Sequence, residues 1–432
     1  MTTLPSRVCD TRLSRLTRPL YAYALLEEFV LLYPLYALLF TETGLSVTQI
    51  SSLFVLWSLT SVLLTVPAGA WADIVPRRYL LATAPLLTGA GFALWLLFPS
   101  YWVFALGFVL WGTAGALVSG AFEALVYTEL AHRGSAHGYA RIMGVTRALG
   151  VAAVGAATLL AVPVMAHGGY TAIGLASVAA CVLCALAGLA LPEHRTRSSR
   201  SSHGSPGSDG LREPEEPRES GTGPEAATEP GYLETLRLGL AEARSSRAVR
   251  NAIVLVVAIT AFWGMLEEYV PLLAASSGVT TEHVPLVVLT VWVCVTLGGL
   301  LAGPAARLSP RILGALLALA AAAVAVGALL GNPAGWVLLG CGFGVCQMMN
   351  VVADARLQDS ITGAGRATVT SLSGAGTDAV GVVSYLLYAG VFLALGHGPA
   401  FVLFSVPYLF AAVLMARVGR PRSPRPAAPP AG

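Results

Sequence analysis

A chain of 432 residues with 56% hydrophobic and only 11% charged residues has too little polar surface for a water-soluble globule and reads as an integral membrane protein in a lipid bilayer. Its formal net charge of +3 is small, and the basic residues sit in short segments between apolar runs, so a nucleic-acid partner is excluded. No nucleotide loop, metal cluster or nucleophile arrangement stands out, so neither an enzyme nor a cofactor is expected.

In chain order, a basic arm over residues 1–19 leads into the first apolar stretch. A helix needs about 20 apolar residues to cross a hydrocarbon core. Twelve segments meet that length, at 20–40, 48–71, 79–98, 101–130, 139–165, 170–191, 251–275, 284–306, 312–330, 334–357, 367–395 and 399–416. The loops that alternate with them differ in charge. Arg77 and Arg78, then Arg133, a long mixed-charge insert, Arg307 and Arg311, then Arg366 fall on one side with the arm and the 417–432 tail; the intervening loops hold no Arg. The positive-inside rule places both termini in the cytoplasm. The first apolar run is full membrane length and carries acids, so it is not a cleavable signal. All basic residues are Arg, with no Lys, a GC-rich coding bias that points to a bacterial plasma membrane.

The insert, within 192–249, is rich in Ser, Pro, Gly and charge and reads as a disordered linker, with a short surface helix expected from Tyr232. It separates two sets of six spans, 20–191 and 250–416. These sets carry an internal repeat. "GAWADIVPRR" from Gly69 corresponds to "GPAARLSPR" from Gly303, and "LEEFV" at Leu26 recurs as "LEEYV" at Leu266. The second correspondence is offset by six residues from the first, which places the two acid pairs at depths about 9 Å apart at helical rise.

Twelve spans, inside termini, a central linker and the repeated loop make the sequence similar to the major facilitator superfamily of secondary transporters. The family's loop after the second span is Gly, three variable residues, Asp, a basic residue, a variable residue, Gly and two basic residues. Gly69, Asp73, Arg77 and Arg78 match it, whereas Ile74 and Pro76 depart from it. The resemblance implies an all-α fold of two pseudo-symmetric six-helix bundles and alternating access to a site near the midplane, with Asp73 capping a helix end as a gating contact.

Charges inside the spans are costly and mark interior positions. They are Glu27 and Glu28 in the first span, Glu123 in the fourth, Arg147 in the fifth, Glu267 and Glu268 in the seventh, Asp354 and Arg356 in the tenth, and Asp378 in the eleventh. In the first half they lie about 12 Å from the cytoplasmic ends at helical rise, so they are expected to share one polar layer with Glu123 as the partner of Arg147. Successive helical residues point about 100° apart, so one of Glu27 and Glu28 faces a cavity and the other a helix interface. Aromatics including Tyr36, Trp57, Trp111 and Trp292 offer cation-binding faces, with Tyr33 and Trp263 nearest the acid pairs. Cys181 and Cys184 have zinc-like spacing but lie in an apolar run and read as buried thiols.

The expected function is proton-coupled efflux of a drug or metabolite, cationic or amphipathic, by a monomer. Glu27, Glu28, Glu123, Arg147, Glu267, Glu268, Asp354 and Asp378 are the coupling candidates. The alternatives are a proton-coupled symporter for nutrient uptake and a membrane receptor or assembly factor that transports nothing.

Overall fold

In the computed structural model, residues 6–135, 138–193, 244, 246–361 and 366–417 are described. The expected linker with its surface helix and the distal C-terminal tail lie outside them. The described residues are helical: α1 (Ser6–Glu28), α2 (Tyr36–Glu42), α3 (Val47–Ile74), α4 (Arg77–Leu97), α5 (Tyr101–His132), α6 (Tyr139–Leu189), α7 (Arg247–Ser276), α8 (Val284–Ala305), α9 (Pro310–Leu330), α10 (Pro333–Ser360), α11 (Arg366–Leu395) and α12 (His397–Arg417). Ten of these are long and apolar enough to cross a membrane.

Helix ends follow local chemistry. Ser46 and Gln49 form a capping box at the start of α3. Ser309 and Asn332 accept from backbone N–H groups at the starts of α9 and α10, each followed by a proline that needs no donor partner. Within α6, Gly169 sits at φ 58°, ψ −160°, outside helical geometry, a conformation open to glycine. The chain turns back there. Tyr139 packs on Tyr127, Arg77 donates to Thr128, and Glu193 reaches the backbone of Arg77, so both ends of α6 lie at the arginine-bearing end. α6 therefore supplies the fifth and sixth expected spans.

The first expected span, in contrast, is not one helix. α1 stops at Glu28 and α2 begins at Tyr36, a correction to the continuous 20–40 helix. Pro34 explains the break: it has no N–H, and its ring would clash with the carbonyl four residues earlier in a continuous helix. Exposed backbone at membrane depth is tolerated only where protein satisfies it. Here the N–H of Leu32 donates to the Ser177 hydroxyl on α6 at 3.1 Å in a buried setting.

Helices α1 to α6 pack largely on one another, as do α7 to α12, and the two sets meet through α3 against α11, α6 against α8 and α2 against α7. One continuous apolar core runs from Leu31, Phe40, Phe54 and Phe104, at the arginine-free ends of the first set, into the second set around Tyr269, Leu317 and Phe401. A smaller, separate core of Leu16, Leu80, Leu125 and Leu191 holds the arginine-bearing end of the first set. The sets are thus joined at the arginine-free end and spaced apart at the other.

Candidate functional site

Two of three neighbouring cavities border the broken first span, and the other adjoins one of them. The first, about 290 Å³, lies between the two sets and is lined by Glu28, Tyr33, Tyr36, Trp57, Trp111, Thr158, Glu267, Glu268 and Trp292. The second, about 530 Å³, extends toward the arginine-bearing end past Ser61, Thr65, Ser119 and Asp378 and shares Trp57, Glu267 and Glu268 with the first. The third, about 150 Å³, lies inside the first set of helices and is lined by Tyr23, Glu27, Glu28, Tyr33, Thr88, Trp111, Cys181 and Cys184.

The adjacent acids in α1 separate as helical geometry requires. Glu28 lines the first cavity and Glu27 does not, while both line the third. Glu28 is held close to α6: a Cβ on Gly150 would lie 3.3 Å from its Cγ. The acid pair of α7 borders the first two cavities together, and Glu268 accepts a hydrogen bond from the Tyr36 hydroxyl across the two sets. Around the acids stands an aromatic wall. Tyr33 and Trp111 stack at 5.4 Å and 7°, and Trp57 lies 5.3 Å from Trp111. Among the described residues lining the first cavity, none is basic. Carboxylates beside π faces make a cation receptor.

Other expected residues fall elsewhere. Arg147 does meet Glu123, with a closest N···O of 4.0 Å, but the side chains are 79% and 59% exposed. The two are therefore not part of a buried layer with Glu27 and Glu28; they lie on an accessible face, where such a pair is weak. Asp354 is exposed, whereas Arg356 is 8% exposed and donates to the Met415 sulfur at 2.9 Å. Asp378 lines the second cavity only. Trp263 lines none of the three cavities, and its indole nitrogen is buried without a hydrogen-bond partner. Of the loop after α3, the Asp73 side chain lies outside the described residues. The acid that reaches a helix start there is Glu193, which accepts from the backbone N–H groups of Arg77 and Arg78 at 2.8 and 3.2 Å. The Arg77 guanidinium donates to the Ala72 and Ala124 carbonyls and to Thr128. Gly69 has open space around it.

Contacts that close the arginine-free end had no sequence forecast. Glu42 accepts from Tyr170 and from Thr281, each at 2.9 Å, and the Ser51 and Tyr269 hydroxyls are 2.6 Å apart. Pro34 inside an apolar run was the available signal for the helix break. Nothing local marks Ser177, Glu42 or Glu193.

Two sets of helices around an acid-lined cavity define a multi-pass membrane protein built to expose one site to alternate sides. The chain belongs to the Major Facilitator Superfamily, whose sequence pattern matches residues 21–374. Among solved structures, the nucleoside transporter NupG is 13% identical over 93% of this chain and 98% of its own, with a TM-score of 0.67. A bacterial homolog of the human lysosomal transporter Spinster, inward-facing and unoccupied, is 13% identical over 96% of each chain, with a TM-score of 0.64. At that identity the likeness is one of fold. No curated protein matches the chain. Family and fold make this protein a secondary transporter working by alternating access, not an enzyme.

Proposed function

We propose that the protein exports an organic cation in exchange for protons across the bacterial plasma membrane. The observation that carries this reading is the cavity between the two sets of helices, where Glu28, Glu267 and Glu268 face Tyr33, Trp57, Trp111 and Trp292 with no basic residue among the described lining residues. A flat or amphipathic cation fits the aromatic walls, and its charge takes the place of a proton on the carboxylates. Substrate and proton then compete for one negative site, which is the requirement for exchange.

The positive-inside rule makes the arginine-bearing end cytoplasmic. In this orientation the cavity system faces inward, and Glu42, Ser51 and Tyr36 hold the outer end shut. Tyr36 connects site and seal, because it donates to a carboxylate of the substrate cavity. A cation bound at Glu268 competes for that carboxylate and loosens the outer contact as it fills the site.

The test uses energised inside-out vesicles and a panel of organic cations, with dissipation of the proton gradient as the readout. Wild type should respond and Glu28→Gln should not. An unchanged response in Glu28→Gln, Glu267→Gln and Glu268→Gln would overturn carboxylate coupling. Proton-dependent accumulation in right-side-out vesicles would instead establish uptake by symport.

A further inference from the structure

We infer that the small cavity inside the first set of helices, enclosed by Glu27, Glu28 and Tyr23, binds a monovalent inorganic cation, with sodium the ion its size and ligands suit. This deepens the transport reading, since Glu28 also belongs to the larger cavity; the binding itself does not depend on that reading.

Four observations converge. Two carboxylates line about 150 Å³ of space in which no described lining residue is basic. The nearest intramembrane cation on this set of helices, Arg147, approaches Glu123 instead. Tyr23, which lines the same space, is fully buried, and its hydroxyl has no hydrogen-bond partner. An orphaned buried hydroxyl is destabilising, a cost removed when its oxygen coordinates an ion or an ion-bound water. Finally, α1 ends at Glu28 within the membrane, so the negative end of its dipole forms part of the wall. Carbonyl-bearing ends of broken membrane helices are suited to small cations.

The ligand chemistry narrows the ion. Carboxylates and the hydroxyls of Tyr23 and Thr88 are hard oxygen donors. The Cys184 thiol donates to the Tyr23 carbonyl at 3.6 Å, and no group of three or more His, Cys, Asp or Glu forms a metal cage among the described residues, which disfavours zinc or copper. The space is about half that of the cavity between the sets. It takes an ion with a few waters, each occupying roughly 30 Å³.

The experiment measures thermal unfolding of the full-length protein in detergent at mildly alkaline pH, titrating sodium chloride against potassium chloride at constant ionic strength. Wild type should show a saturable rise in Tm with sodium. The midpoint should move about tenfold or more, equivalent to roughly 1.4 kcal/mol, in Glu27→Gln and in Tyr23→Phe. The Tyr23 variant keeps its ring on Phe122. Glu282→Gln, in an exposed loop, should leave the midpoint unchanged. A Tm indifferent to sodium, or a sodium effect equal in all variants, overturns the site. A wild-type Tm that responds to pH and not to sodium assigns the cavity to protons and water and overturns it equally. Organic-cation flux measured with potassium in place of sodium tests the transport reading separately: loss of flux there leaves the binding result intact.

Discussion

Glu28 belongs to two cavities and is pressed toward α6 at Gly150. Glu28→Gln keeps the shape and removes the charge, and uphill transport in vesicles should fall by about 10²-fold, the lower range for loss of a positioned acid–base group. Asp354, exposed and away from all three cavities, is the contrast: Asp354→Asn should leave the same rate within about twofold, the scale of a screened surface charge. The Glu123 and Arg147 pair belongs with it. At 4.0 Å and largely exposed, it contributes under about 1 kcal/mol, so Glu123→Gln should barely shift the melting temperature. These three acids look alike in sequence, each a charge within an apolar span. Packing separates them, since Glu28 lies in a protein-lined cavity while the other two are exposed.

At the scale of elements, the break in the first span and the contact of α8 with α10 decide how helices approach. Pro34 ends helical continuity between Glu28 and Tyr36. Pro34→Ala permits a continuous helix, and hydrogen exchange at residues 29–35 should slow by about tenfold or more as ladder bonds form, with transport lost because Tyr33 and Tyr36 are turned away from the cavity they line. Where α8 crosses α10, a Cβ on Gly298 would lie 1.9 Å from the Gly344 carbonyl oxygen. Small residues allow such backbone approach in membranes, where helices gain nothing by leaving lipid except packing. Gly298→Val should therefore cost about 1–3 kcal/mol, read as a lower melting temperature in detergent. The glycine-rich composition signals close packing in general. A Cβ on Gly144, also within a span, would meet nothing within 4 Å, so only the crossing geometry tells the two apart.

For the whole molecule, the relation between the two sets of helices is set by a few polar contacts at the arginine-free end. Glu42 joins Tyr170 of the first set to Thr281 of the second. Both bonds are exposed, so each contributes roughly 0.5–1 kcal/mol, and together they move a two-state equilibrium by about tenfold. Glu42→Gln should raise the population opened at that end, measured as longer distances between spin labels at Thr48 and Glu282, both exposed. An unchanged distance distribution would show that the apolar core around Phe54 and Tyr269 holds the closure alone. The other end has its own fastening within the first set, where Glu193 caps α4; Glu193→Ala should cost about 1 kcal/mol.

The sequence by itself determined the membrane class, the helical fold and its family, and the positions of the acids. These properties are local or additive: hydropathy over about 20 residues marks a span, and an acid within it stands out as a costly exception. Only the tertiary structure decided which groups meet. The Leu32 N–H finds Ser177 145 positions away, and Tyr36 finds Glu268 232 positions away. It also placed Glu28, Glu267 and Glu268 on one cavity and left Glu123 and Arg147 exposed. A carboxylate carries the same cost of burial wherever it stands in an apolar run. Whether that cost is met by a cavity, a partner or an accessible face depends on how neighbouring helices cross, and no single helix encodes that.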